Sequence, residues 1–388
     1  MHIFVNALAA SAGGGLTYVR NVVPHLSETG VQATFLINAN LRQNLGEWNN
    51  IHFMVNQDCD SVPQRFRYEQ ITIPHLIRQY QADVLLSTGN FALRRSPVSQ
   101  ILLSRNALYT SPDFLRDLRR RKEYKAWAHT RIRAMFAKRS IAWADVTVAP
   151  SEAFAAELRR WTGKQVIAIH HGFDRDLFFR SNTPLPAQAE EQLRNARGAV
   201  RLLFVSHYNY YRNFETIFRA LPILKKRLGS RSLRLFLTCQ LRSESNPGDY
   251  QAEAAARLIR KLGVENEVVE LNMISYELLH HVYSACDVYV TAAYAESFAH
   301  PLVEAMASGL PVVASDLAVH REICGEAALY FPRFSPDDLA RTILEVVNSA
   351  DKRRQMSSRG LQASKGFSWS RHVKELISLA ESIQFSAK

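Results

Sequence analysis

Short runs of β-branched and aliphatic residues alternate with longer segments of helical period from one end of the chain to the other. In the first half the runs fall at 2–6, 33–38, 51–55, 83–87, 100–104, 146–149 and 166–169. Between them, apolar positions recur every three to four residues over 16–26, 69–80, 114–138 and 152–161, the spacing of amphipathic helices. Strand and helix in alternation predict parallel sheets with right-handed crossovers. A polar, proline-containing stretch at 181–199 has no period and reads as a linker. After it the alternation restarts, with strands at 201–206, 233–238, 268–271, 287–291, 311–315 and 328–331 and helices at 213–227, 252–262, 276–285, 301–308 and 336–349. The pattern predicts an α/β protein of two doubly wound parallel-sheet domains, 1–180 and 200–366, followed by a C-terminal segment, 367–388. Such sheets bind ligands beyond the carboxyl ends of their strands, so two facing units would place a site in the cleft between them.

The 388 residues agree with two domains of ordinary size. With 47% hydrophobic and 22% charged residues, the chain is neither disordered nor collagen-like nor a disulfide scaffold. Cys59, Cys239, Cys286 and Cys324 lie far apart and outside any metal-ligand spacing, so they read as reduced core residues of a cytoplasmic protein. No apolar stretch approaches the roughly 20 residues that span a bilayer. Residues 3–10 are apolar and Ala10-Ser11-Ala12 imitates a signal-peptidase site, but no Lys or Arg precedes the run and Asn6 interrupts it. Those features favour the opening strand of a globular domain over a cleaved leader. The 48 Lys and Arg against 36 Asp and Glu leave a formal charge of +12, which calls for an explanation.

Three places could carry chemistry. Gly13-Gly14-Gly15 stands between the first strand and the first helix, where glycines let backbone N–H groups approach an anion at a helix N-terminus. A flexible turn without a ligand is the alternative, since the spacing is neither a P-loop nor Gly-x-Gly-x-x-Gly. The second place is Glu296-Ser297-Phe298-Ala299-His-Pro-Leu-Val-Glu304, which leads into a helix that starts near Pro301 and stops at Gly309. Amides of Phe298 to His300 at that N-terminus, with a carboxylate on either side for hydroxyls, suit a phosphorylated sugar. Two solvated glutamates on a surface helix are the plainer reading. Eight helical residues span about 12 Å, too far for the paired carboxylates of a glycoside hydrolase, so the two acids suit binding better than acid-base attack. The third is His207-Tyr-Asn-Tyr-Tyr-Arg212-Asn213, where a guanidinium at a helix start could grip a pyrophosphate and stabilise its departure.

These features together resemble the retaining family-4 glycosyltransferases of GT-B fold, as do Ala149-Pro-Ser151, His170-His-Gly172-Phe-Asp174-Arg-Asp-Leu-Phe178 and Phe367-Ser-Trp369. The resemblance covers nearly the whole chain, and its most specific part is the pair Glu296 and Glu304 seven residues apart in between. It implies two Rossmann-like domains facing across a cleft, with the helix of 367–388 crossing back to the first. It implies that Glu304 binds the ribose hydroxyls of a nucleotide, that Glu296 lies near the ring hydroxyls of the donor sugar, and that Gly14, Gly15 and the amides around Ser297, Phe298 and Ala299 cradle the diphosphate. Arg212, beside Asn213, stands where the family usually has lysine. His207 replaces its preceding arginine, Asn106 a common loop histidine, and Ala299 a frequent glycine. Met273 and Ile274 match the base-binding turn. The implied reaction is attack by an acceptor hydroxyl on the anomeric carbon from the face the nucleotide leaves, with Glu296, Arg212 and Asn106 as the catalytic set. No metal and no cofactor beyond the nucleotide sugar are implied.

Residues 115–139 contain ten Arg or Lys against Asp117 and Glu123, a net +8 that is two-thirds of the excess. With Trp127 and Tyr124 among its apolar positions, the segment reads as one basic amphipathic helix whose Arg119, Arg120, Arg121 and Lys122 would meet an anionic membrane surface. A core-packed helix with a solvated charged face is the alternative, and no nucleic-acid module is recognised. The expected acceptor is a saccharide or lipid-linked saccharide used in cell-surface polysaccharide or lipopolysaccharide synthesis, with the enzyme in the cytoplasm or peripheral on the inner membrane face. A sugar-nucleotide epimerase of the same fold and a non-catalytic nucleotide-binding membrane scaffold remain open at this point.

Overall fold

In a computed structural model of the protein, which describes residues 1–10, 13–43, 45–56, 62–248 and 250–386, the chain divides into two units. The first comprises Met1–Ser111, Arg121–Gly172 and Ser368–Lys388, the second Pro112–Arg120 and Phe173–Phe367.

The sheet of the first unit contains β1 (His2–Asn6), β2 (Gln32–Asn38), β3 (Ile51–Asn56), β4 (Val84–Ser87), β5 (Ser99–Leu103), β6 (Val146–Ala149) and β7 (Ile167–Ala168). Their order is β3-β2-β1-β4-β5-β6-β7, and every pairing is parallel. The second unit contains β8 (Val200–Phe204), β9 (Leu233–Leu237), β10 (Val268–Glu270), β11 (Val288–Thr291), β12 (Val312–Ser315) and β13 (Ala328–Phe331), all parallel in the order β10-β9-β8-β11-β12-β13. Central strands such as Val84–Ser87 and Val312–Ser315 are buried along their whole length, because helices cover both faces. Strands of that kind read as continuous apolar runs without alternation. Each sheet reverses its direction of growth once, between β1 and β4 and between β8 and β11. In doubly wound sheets ligands bind at such a point, beyond the carboxyl ends of the strands.

The C-terminal helix Trp369–Ser386 belongs to the first unit. Its Trp369, Val373, Leu376 and Ala380, one face of a helix by spacing, are buried with Tyr18 and Val22 of the helix Gly13–Ser27 and with β1. Gly172 is where this segment crosses: a Cβ there would lie 2.0 Å from the Trp369 backbone nitrogen.

Three features differ from the reading of the sequence. The helix expected over 114–138 is two helices, Pro112–Arg120 and Tyr124–Trp143, broken where Lys122 takes φ +62°. They belong to different units. The aperiodic stretch 181–199 contains the helix Ala187–Asn195, which buries only Ala189 and Leu193, too few apolar positions to show a period. The helix Ala350–Ser364 also lies outside the apolar pattern, because it buries only Met356, Gly360 and Ser364 along a largely polar sequence. Gly360 lets it approach closely, with its Cβ position 3.3 Å from the Met306 Cα.

Candidate functional site

In the second unit the chain leaves β8 and β11, the two strands flanking the reversal, through the segments that carry Arg212 and Glu296. Asn209 shapes the first segment, its Oδ1 accepting from the Arg212 amide at 3.1 Å. Arg212 ends the 3-10 turn Tyr210–Arg212, and its guanidinium lies 5.3 Å from the centre of the Tyr211 ring. It forms an ion pair with Glu296. Burial is the largest influence and works against the guanidinium charge, but Glu296 together with Tyr211 and Tyr289 outweighs it and holds the Arg212 pKa above its ordinary value. The Arg212 Nε is buried without a hydrogen-bond partner, so this cation has an N–H in reserve. On the other side, the Ser297 amide donates to Glu296 Oε1 at 3.2 Å.

Asn213 follows in the left-handed region, φ +56°, and starts the helix Phe214–Leu228. Its side chain is occupied within the fold: Nδ2 donates to Ala292 O at 3.0 Å and to Arg333 O at 2.7 Å, and Oδ1 accepts from Thr216. It ties the ends of β8, β11 and β13 together. His207 is half-buried, and desolvation, with Arg212 second, pushes its pKa below the usual imidazole value. The shift favours the neutral imidazole beside Arg212.

Glu304 lies inside the helix His300–Ala307 and is 6% exposed. Burial raises its pKa to about 7, and a hydrogen bond from Tyr283 works in the opposite direction. That bond runs from the Tyr283 hydroxyl to Glu304 Oε2 at 2.8 Å. Ala299 precedes the helix at φ +69°, a left-handed conformation that suits glycine. Phe298 is buried, its ring 5.5 Å from Phe367. Beyond β10, Asn272 turns the chain at φ +63°, leaving Met273 76% exposed and Ile274 buried.

In the first unit Gly14 and Gly15 form the first turn of the helix Gly13–Ser27 instead of a loop before it. A Cβ on Gly15 would sit 3.1 Å from the Ala10 Cα, whereas Gly14 has open space. Asn106 follows β5 and caps the 3-10 turn Ala107–Tyr109, its Oδ1 accepting from the Leu108 amide at 3.0 Å. The neighbouring Arg105 donates to Gly14 O at 3.0 Å and Thr88 O at 2.9 Å, closing the ends of β1, β4 and β5. Sequence reading singled out Asn106 and missed Arg105.

The structure thus brings Arg212, Asn213 and Glu296 together in one unit. Glu304, Met273 and Ala299 lie in that unit too, and Gly14, Gly15 and Asn106 in the other. Of the basic set, Arg119 and Arg120 end the helix of the second unit, while Arg121, Lys122 and Trp127 belong to the first. Reading the sequence also missed Tyr283, which bonds Glu304 from 21 residues away, and Tyr211, whose ring lies under the Arg212 guanidinium and whose carbonyl accepts from the Tyr294 amide. Burial and hydrogen bonding reveal them, and no spacing does. Cys239, Cys286 and Cys324 are buried free thiols, and Cys59 lies outside the described residues. Among the described residues no three His, Cys, Asp or Glu side chains gather as a metal site requires. No helix among them is long and apolar enough to cross a membrane.

Comparison with known proteins gives matching results for both halves. The family model described as Glycosyl transferases group 1 matches residues 188–363, and that described as Glycosyltransferase Family 4 matches residues 12–177. A D-inositol 3-phosphate glycosyltransferase of Nocardia farcinica is 28% identical over 193 residues, 49% of this chain and 42% of that protein. The O-antigen chain mannosyltransferase B of Escherichia coli is 29% identical over 121 residues, 31% of this chain and 32% of that one. The match therefore spans half or less of the length of these curated relatives. Among solved structures, sucrose-phosphate synthase of Thermosynechococcus elongatus superposes with a TM-score of 0.77 at 19% identity over 100% of both chains. Anabaena HepE in complex with UDP-glucose does so with a TM-score of 0.73 at 16% identity, over 98% of this chain and 100% of that one. At such identities the likeness is one of fold, which is GT-B.

Proposed function

Since the chain belongs to the group 1 and family 4 glycosyltransferases, we propose that it moves a hexose-type sugar from a nucleoside-diphosphate donor to a hydroxyl of a saccharide or lipid-linked saccharide, with retention at the anomeric carbon. The observation that carries this reading is the Arg212 and Glu296 pair at the ends of the two strands flanking the sheet reversal. A permanently charged guanidinium with an unused buried N–H is suited to the diphosphate, whose negative charge grows as the glycosidic bond to phosphate breaks. The acceptor oxygen forms the new bond to the anomeric carbon on the face the diphosphate leaves, and the acceptor proton passes to the departing phosphate oxygen. Glu296 would accept hydrogen bonds from ring hydroxyls of the sugar, and Glu304 from the ribose. The protein contributes orientation and charge stabilisation, with no cofactor beyond the donor.

The E. coli relative named for O-antigen assembly supports an acceptor of the cell-surface polysaccharide kind. The exposed basic helix Tyr124–Trp143 supports a lipid-linked one, taken up at the inner face of the cytoplasmic membrane. A thermal-shift screen with UDP-, GDP-, ADP- and dTDP-sugars is expected to show one donor class raising the melting temperature, because a ligand that binds only the folded state stabilises it. With that donor, Glu296→Ala and Arg212→Ala should each lower turnover by about 10²–10³-fold. Undiminished transfer in both variants refutes the assignment, and unaltered nucleotide binding without any turnover in the parent protein favours a scaffold.

A further inference from the structure

The helix Pro112–Arg120 comes from the N-terminal half of the chain yet belongs to the second unit. The chain enters that unit after Ser111 and leaves it again before Arg121. Its face is set by two acids four residues apart, which share one side of a helix. Asp117 Oδ2 accepts from the Tyr294 hydroxyl at 2.8 Å. Asp113 Oδ2 accepts from Arg333 Nε at 2.9 Å, while its Oδ1 accepts from Arg116 at 2.8 Å. Phe114 and Leu118 are buried on the same side, and the Phe114 ring meets Tyr211 edge-on at 6.3 Å.

Tyr294, Tyr211 and Arg333 each stand beside a residue of the candidate site or bond one. Tyr294 precedes Glu296 by two positions, and its amide donates to Tyr211 O at 2.9 Å. Tyr211 adjoins Arg212 and lies under its guanidinium. Arg333 offers its carbonyl to Asn213, which also holds Ala292. Two residues of extended chain reach only about 7 Å, so a fixed Tyr294 leaves the Glu296 backbone little freedom. Deleting a buried acceptor leaves its donor unsatisfied, which favours rearrangement of the loop that carries the donor.

We propose that Asp117 and Asp113 are positioning residues: through Tyr294 and Arg333 they hold the loop bearing Glu296 and the turn bearing Arg212 in the geometry used for sugar transfer. The proposal rests on the glycosyltransferase reading for its consequence, and on the hydrogen bonds alone for the positioning. A displacement of about 1 Å at such a site is enough to cost up to 10²-fold in rate.

Hydrogen exchange read by mass spectrometry tests the positioning without any substrate. In Asp117→Ala, and in Tyr294→Phe, which keeps the ring and its packing, amides of residues 292–298 should exchange about 5-fold faster while those of β8, β9 and β12 keep their protection. In parallel, nucleoside-diphosphate release from the donor selected by thermal shift should fall about 10-fold in kcat in each variant, with the affinity for the free nucleoside diphosphate unchanged within 2-fold. The double variant should lose less than the two single losses combined, because both remove the same bond. Asp117→Glu should recover part of the loss. Unchanged exchange over 292–298 overturns the proposal. So does parental kcat in Asp117→Ala and Tyr294→Phe when Glu296→Ala is inactive, and so does a loss of protection spread over the whole unit. Faster exchange over 292–298 together with a fully active Glu296→Ala overturns the catalytic reading of Glu296 and leaves the positioning of the loop in place.

Discussion

Glu304 is a carboxylate whose surroundings determine when it can work. The helix His300–Ala307 places it in the interior, and burial lifts its pKa from 4.5 to about 7, with Tyr283 donating to the carboxylate in partial compensation. Hydroxyl recognition needs the ionised form, so nucleotide affinity should fall as pH drops through about 7. Stability responds in the opposite sense. The folded state holds this proton more tightly than the unfolded chain, so the Glu304 contribution is full below pH 4.5, is lost as pH rises towards about 7, and stays flat above that. Tyr283→Phe removes the donor that favours the charged form. The expected outcome is a midpoint of nucleotide affinity moved to higher pH, with kcat at saturating donor nearly kept. Titration calorimetry across pH 6 to 9 (roughly the window in which a carboxyl so raised changes charge) checks it, and a midpoint that does not move sinks the role of Tyr283. Glu304→Gln should abolish the dependence altogether.

At the level of elements, two junctions decide what the helices can do. Gly172 belongs to the His170-His-Gly172-Phe-Asp174 motif, and its significance is steric. The C-terminal segment passes so close that any side chain at 172 would overlap the backbone of Ser368 and Trp369. His372 then bonds His170 O at 2.9 Å and receives the Tyr18 hydroxyl at 3.0 Å, joining the end of β7 to the helix that begins with the glycines. Gly172→Ala should destabilise the first unit by about 3 kcal/mol, a melting temperature lower by about 6–12 °C. A circular-dichroism melt indistinguishable from that of the parent would show that the crossing has room to spare. The other junction is Lys122, whose positive φ ends one helix so that the next can start in a different unit. Nothing in the apolar spacing of 114–138 marks that break, because Leu115, Leu118, Tyr124 and Trp127 keep an approximately helical interval through it.

For the whole molecule, the charge of +12 divides differently from its sequence order. The helix Tyr124–Trp143 carries five Arg and Lys and no acid, whereas Pro112–Arg120 sets three arginines against Asp113 and Asp117. On the first, Tyr124 is 62%, Ile132 51% and Met135 46% exposed, between the exposed Arg131, Arg133, Lys138 and Arg139. An exposed apolar stripe edged with bases is suited to an anionic lipid surface, where each base contributes about 1 kcal/mol. Reversing Arg131, Arg133, Lys138 and Arg139 to Glu should therefore weaken binding to phosphatidylglycerol vesicles at least ~10-fold and leave phosphatidylcholine vesicles unaffected. Equal sedimentation of both proteins with anionic vesicles would refute the membrane role. Reversing Arg119 and Arg120 should have the smaller effect, since that helix is held by its acids within the second unit.

How much of this was legible in the sequence follows from the range of the forces involved. Among the described residues all thirteen strands lie within about two residues of an apolar run, and the central ones are apolar throughout because they are covered on both faces. The alternation of strand and helix fixes the parallel, doubly wound class, and the chemistry of Glu296, Glu304 and Arg212 stands in the sequence as residue type and spacing. Tertiary structure alone decided that Arg212 meets Glu296 from 84 residues away, that Tyr283 answers Glu304, and that Asp113 and Asp117 reach Arg333 and Tyr294 from 220 and 177 residues away. Periodicity is a local property set by one helix or strand against its surroundings. Ion pairs, buried hydrogen bonds and close crossings such as Gly172 against Trp369 depend on which strand ends the sheet order brings side by side, and no local pattern encodes that.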